Sequence, residues 1–182
     1  MNITRKLYVS NRKAWRAWLK KHHKTKKEIW LVYYNKQSGK KRIPYNDAVE
    51  EALCFGWIDS TVKKVSADSF AQRFSKRNPK SSWSEMNKER ARRLIAAKKM
   101  APAGLALLGN AHLDDFKVPA DILKVLKKDT ETWKNFQKFP EGYKRIRIGF
   151  IHASRNRPDF FTKRLAYFLK MTKQNKMFGM VR

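Results

Sequence analysis

The apolar positions change period along the chain, and the changes mark its elements. Ala14, Trp15, Trp18 and Leu19 fall at i, i+1, i+4 and i+5 among Arg12, Lys13, Arg16, Lys20 and Lys21, one apolar face of a helix that Ser10 can cap. Glu28-Ile29-Trp30-Leu31-Val32-Tyr33-Tyr34 is apolar on both faces and rich in β-formers, as in a central strand, and Ser38-Gly39 is a turn signal after it. Pro44-Tyr45-Asn46 opens a helix from Asp47 to Phe55. Asp47, Glu50 and Glu51 suit the N-terminal half of its dipole, and Gly56 closes it. Two short runs of β-formers follow, Trp57 to Val65 and Ser69 to Ser75, with Ala67-Asp68 as the hairpin turn between them.

After Pro79 the pattern becomes helical. Ser82-Trp83-Ser84-Glu85 fits a capping box at the start of a helix running to about Lys99. Pro102 and Gly104 break it before the short apolar segment Leu105 to Leu108. Four further helical patterns are predicted: Ala120 to Lys128, Glu131 to Phe139, Tyr143 to Ser154, and Asp159 to Gln174. Short helices bury little alone and must pack on one another or on the first unit. The expected fold is α+β, a small, partly antiparallel sheet with helices followed by a C-terminal helical module. The expected organisation is an α+β domain over 1–109, a linker over 110–118 and the helical module over 119–182.

Composition changes this picture in one respect, charge. The chain has 182 residues with 43 Lys+Arg against 15 Asp+Glu, a net charge of +28. With 42% apolar and 13% aromatic residues it can still build a core, so the charge does not signal a disordered tail. The excess is +18 over residues 1–100 and +10 over 101–182, so neither half is a detachable basic arm. The densest run, Lys20 to Lys27, links the first helix to the central strand, as a solvated loop. A transmembrane span needs ~20 apolar residues and no run approaches that; a large multidomain enzyme is excluded by length. The N-terminus carries no secretory pattern and the single Cys54 sits in an apolar setting as a buried thiol, so a cytoplasmic location is expected.

Candidate chemistry is narrow. Four histidines and one cysteine, with only His22-His23 adjacent, do not make a structural zinc site, and neither a phosphate loop nor a dinucleotide fingerprint is present. No cofactor is expected. The informative stretch is Phe55 to Gly104. Asp59 follows Trp57 by two residues on the same strand face, and an Arg73 to Asp59 ion pair across the hairpin is possible. Lys76, Arg77, Lys80, Ser81, Ser82 and Trp83 bring cations and serines to a helix N-terminus, where an anion can bind; equally, Ser82 can be a cap among solvated cations. At about 100° per residue, Asn87 and Arg90 fall on the apolar side of that helix, so each needs a specific partner, in the core or in a ligand pocket.

The ordered segments Ile43 to Ser60, Arg73-Phe74, Pro79 to Ser84, Asn87 and Met100-Ala101-Pro102-Ala103-Gly104 resemble the YdeI/OmpD-associated family, also labelled bacteriocin-protection proteins. Val118 to Met171 is similar to the family's helical module, with Trp133, Phe136, Tyr143 and Arg164 in the usual pattern. Two departures stand out: Lys76-Arg77 replaces the usual proline and arginine, and Ser154 to Asp159 replaces a stretch where a Lys and Glu-Thr-Arg are usual. The resemblance implies a link to envelope stress, through porin association and protection from bacteriocins or antimicrobial peptides, and no defined catalytic activity.

Three readings follow. The first is a non-catalytic binding protein for an anionic ligand or protein partner through the Arg73 to Arg90 region. The second is a nucleic-acid binder driven by the net charge. The third is an enzyme with a pocket around Asp59, Arg73, Asn87 and Arg90 beside Trp57 and Trp83. Oligomeric state is left open.

Overall fold

A computed structural model of the chain describes residues 2–109 and 111–179. Asn110, at the start of the expected linker, lies outside the described residues, as do residue 1 and residues 180–182. The elements are β1 (Lys6–Tyr8), α1 (Arg12–His22), β2 (Glu28–Tyr34), α2 (Tyr45–Cys54), β3 (Trp57–Lys64), β4 (Ser69–Lys76), α3 (Glu85–Ala96), α4 (Pro102–Leu105), α5 (Ala120–Leu126), α6 (Thr130–Lys138), α7 (Glu141–His152) and α8 (Pro158–Lys173). The fold is α+β, with helices at the C-terminal end. Two compact units divide it, residues 1–82 with 91–112 and residues 83–90 with 113–182. Among the described residues no helix is long and apolar enough to cross a membrane.

In the first unit the strand order is β1-β2-β4-β3, with β1 parallel to β2 and the other pairs antiparallel. β2 is buried over Ile29 to Tyr33, as its apolar run requires. β1 has three residues and no periodic signal, which is why the apolar pattern does not reveal it. The pleat sorts side chains to two faces. Ile29, Leu31 and Tyr33 of β2 pair with Phe74, Gln72 and Phe70 of β4, and α1 packs on this face through Trp15, whose ring meets Phe74 edge-on at 5.3 Å. The other face buries Trp30, Val32 and Ala71 under Ile3, Tyr34 and Val65.

α1 and α2 are joined by a buried polar network. Glu51, 2% exposed, accepts from Arg12 Nε at 2.5 Å and Arg16 Nη1 at 2.6 Å, while Arg12 Nη1 also reaches Asp47 and Glu50. Trp15 Nε1 donates to the Ala48 carbonyl at 2.9 Å. A carboxylate this deep is tolerated because two guanidiniums satisfy it.

Two helix caps differ from expectation. α1 is capped by Asn11 rather than Ser10, its side-chain oxygen accepting from Ala14 N–H at 2.9 Å. α3 begins at Glu85, and Ser84 Oγ accepts from Asn87 N–H at 3.3 Å, so the Ser82 capping box does not form. The physical reason is in the preceding loop, where the Ser81 and Ser82 carbonyls accept from the Arg77 guanidinium.

The second unit packs α5 to α8 around Ile122, Leu126, Phe136, Phe139, Tyr143, Ile148, Ile151 and Phe168. Asp129 caps α6 through Thr132 N–H. The buried Asn135 amide donates to the Thr172 and Lys173 carbonyls, satisfying the end of α8.

Candidate functional site

The expected site residues fall in both units. Trp57, Asp59, Arg73, Lys76, Arg77, Lys80, Ser81 and Ser82 belong to the first; Trp83, Asn87 and Arg90 belong to the second.

Asp59 and Arg73 do not pair. β3 sets Asp59 opposite Phe74, on the face of Gln72 and Phe70, whereas Arg73 points to the opposite face. Asp59 instead accepts from the Tyr45 hydroxyl at 2.7 Å and the Gln72 amide at 3.3 Å. Arg73 pairs with Glu28 across β2–β4, Nε to Oε2 at 2.7 Å, and its Nη1 reaches Ser60 Oγ at 3.3 Å. Thr4 and Arg73 together hold the Glu28 carboxyl below its ordinary range.

Trp57 is a core residue whose indole N–H donates to the His23 carbonyl at 3.2 Å. Asn87 and Arg90 meet each other, Arg90 Nη1 donating to Asn87 Oδ1 at 2.8 Å. Trp83 is half-buried.

Arg77 is 8% exposed. Its N–H donates to the Gly56 carbonyl, and its guanidinium holds the Ser81 and Ser82 carbonyls, while burial pushes its pKa down. The loop above it is closed by its own bonds: Lys80 N–H to Asn78 Oδ1 at 2.9 Å, and Ser81 N–H and Oγ–H to the Asn78 carbonyl at 3.0 and 2.7 Å. These amides are occupied, and helix α3 starts beyond them. What this segment presents to solvent is therefore the exposed side chains of Lys76 and Lys80 rather than a helix N-terminus.

The topology then brings two basic runs together. Because β4 lies beside β2, the end of β4 adjoins the segment that enters β2. Lys76 N–H donates to the Lys27 carbonyl at 3.3 Å, and its ammonium donates to the Lys24 carbonyl at 2.7 Å. Lys20, Lys21, Lys24, Lys27, Lys76 and Lys80 are all exposed, and neither 20–27 nor 76–82 contains a carboxylate. The sequence pattern shows both runs but not their meeting, which depends on strand order.

Gln72 and Tyr45 were not among the expected site residues. A signal for Gln72 is its place between Phe70 and Phe74 on a buried strand face, where an amide needs a partner.

Residues 7–107, more than half of the chain, match the family model described as "Domain of unknown function (DUF8412)". The chain belongs to this family. Residues 115–175 match a second model, "Bacteriocin-protection, YdeI or OmpD-Associated", so the resemblance to that family holds over the helices of the second unit. The motifs from Ile43 to Gly104 lie within the first match. No curated protein and no solved structure matches the chain.

Proposed function

We propose that this member of the DUF8412 family is a non-catalytic binding protein that engages an anionic partner through the lysine surface formed by residues 20–27 and 76–80. The observation that carries this reading is the Lys76 ammonium on the Lys24 carbonyl, which joins two carboxylate-free basic segments some fifty residues apart in sequence. Repulsion among exposed ammoniums is relieved when an anion binds them, and that gain is screened by salt. A binding role is further supported within the first unit, where Asp59 and Arg73 are engaged in separate structural pairs rather than with each other. The bacteriocin protection named in the second family's description is carried over as part of this proposal, with the link to envelope stress and antimicrobial-peptide protection that the resemblance implies; binding of an acidic partner protein is the property it would use.

A second reading makes nucleic acid the partner, favoured by the run of exposed lysines without an intervening acid. Fluorescence-anisotropy titration of a labelled glutamate-rich peptide and a labelled 20-base-pair duplex, at 50 and 200 mM salt, separates the two. For a surface of about five contacts, affinity for the duplex falls ~10²–10³-fold over this range. The combined substitution Lys21→Gln, Lys24→Gln and Lys76→Gln lowers affinity for whichever anion binds by at least about tenfold at 50 mM salt and flattens the salt slope by about three contacts. Preference for the peptide supports the first reading and preference for the duplex the second. Equal binding by the wild-type and substituted proteins contradicts both.

A further inference from the structure

At the other end of β4 from Lys76, a cavity of about 230 Å³ opens on the face of the sheet carrying Tyr33, Phe70 and Gln72. Ile43, Pro44 and Tyr45, leading into α2, form its opposite wall, with Arg42 at its edge. Tyr33 and Phe70 stack on each other with centroids 5.3 Å apart and planes 5° from parallel, so this wall is aromatic. The cavity is smaller than the ~300 Å³ at which pockets for drug-sized ligands begin, which limits an occupant to about one ring.

Its polar groups are unequally satisfied. Tyr45 and the Gln72 NH₂ group are fixed on Asp59, and Gln72 also donates to the Ser60 carbonyl at 3.0 Å, leaving the amide oxygen of Gln72 as an acceptor. Tyr33 is different. It is 3% exposed, and its hydroxyl has no hydrogen-bond partner among the described residues. Burial holds the phenol protonated well above its ordinary pKa, and Tyr45, Asp59 and Arg42 act on it electrostatically; of these, Tyr45 and Arg42 line the cavity. A buried donor without a partner is costly, and a ligand atom that accepts from it removes the cost. Arg42 is exposed, and its guanidinium makes one bond, Nη1 to the Tyr34 carbonyl at 3.2 Å, so most of its donor fork is open to solvent.

We infer that this cavity binds a one-ring aromatic carboxylate, with the ring against Tyr33 and Phe70, the carboxylate on Arg42, and a polar substituent at the far side of the ring meeting the Tyr33 hydroxyl and the Gln72 amide oxygen. One cation at the edge matches one negative charge, and the bidentate fit of guanidinium to carboxylate selects the planar acid. The site is independent of the lysine surface, and either can exist without the other.

Isothermal titration with 4-hydroxybenzoate, benzoate and 4-hydroxybenzyl alcohol tests it. Wild-type protein binds 4-hydroxybenzoate at one site, benzoate at least about fivefold more weakly for want of the hydroxyl, and the uncharged alcohol at least about tenfold more weakly. Arg42→Gln removes the preference for the acid over the alcohol. Tyr33→Phe weakens 4-hydroxybenzoate at least about tenfold but, by deleting the unpaired hydroxyl, raises the Tm of the ligand-free protein by about 2–4 °C. A purely structural role for Tyr33 predicts a lower Tm instead. The proposal is overturned if wild-type protein shows no binding at millimolar 4-hydroxybenzoate, if Tyr33→Phe binds as wild type, or if Tyr33→Phe lowers the Tm.

Discussion

Glu28 begins β2 and holds two donors, the Thr4 hydroxyl at 2.7 Å and the Arg73 guanidinium, so its carboxyl ionises below the ordinary 4.5. A carboxyl whose folded pKa is depressed stabilises the fold above its unfolded pKa, and that stability is lost as pH falls through the folded value. Glu28→Gln therefore costs about 1 kcal/mol at pH 7, a modest figure because the pair is partly in solvent, and costs less at pH 3. Urea denaturation of both proteins at the two pH values measures this; equal losses at pH 7 and pH 3 would contradict it. The pair also shows what single residues can and cannot disclose. That Arg73 needs a carboxylate is legible from its place in a strand. Which carboxylate depends on the neighbour of β4 and on register: β4 lies between β2 and β3, and the pleat points Arg73 away from Asp59. The same limit hid the Tyr45, Asp59 and Gln72 cluster, whose members come from a helix start and two strands.

Elements are decided by close backbone contacts as much as by periodicity. α4 lies against the end of α2, where Ala101 N–H donates to the Cys54 carbonyl at 3.0 Å and a Cβ on Gly104 would stand 2.4 Å from the Cys54 oxygen and 2.7 Å from that of Leu53. Gly56, at φ +73°, is likewise approached by the Ala103 carbonyl. The Gly56 and Met100-to-Gly104 motifs are thus two sides of one contact. Gly104→Ala must push apart main-chain groups and destabilises the fold by about 3 kcal/mol, read as a fall in Tm of about 6–12 °C; an unchanged Tm would show that α4 is not held this closely. Strand β2, the hairpin and the four C-terminal helices were legible because their apolar periods are clear. The helix starts were less so: Ser82 and Ser84 are both capping residues by type, and the choice falls to Ser84 because the Arg77 guanidinium holds the Ser82 carbonyl in the loop.

At the scale of the whole molecule, the contrast that matters is between two arginine-held carboxylates and one set of exposed lysines. Glu51 is buried between two arginines and Glu28 is held by Arg73, whereas Lys20, Lys21, Lys24, Lys27, Lys76 and Lys80 face solvent. The α+β class could be read from the order of periods, and the net charge from composition. The position of the basic surface could not, because it arises where the strand order β1-β2-β4-β3 lays the end of β4 beside the entry to β2. The most direct test of that surface is amide chemical-shift mapping by NMR as the glutamate-rich peptide or the duplex is added at low salt. The account predicts that the largest shifts fall on residues 20–27 and 76–82 and are lost with Lys21→Gln, Lys24→Gln and Lys76→Gln combined. Shifts concentrated in residues 113–179, or spread evenly over the lysines of both units, would contradict it.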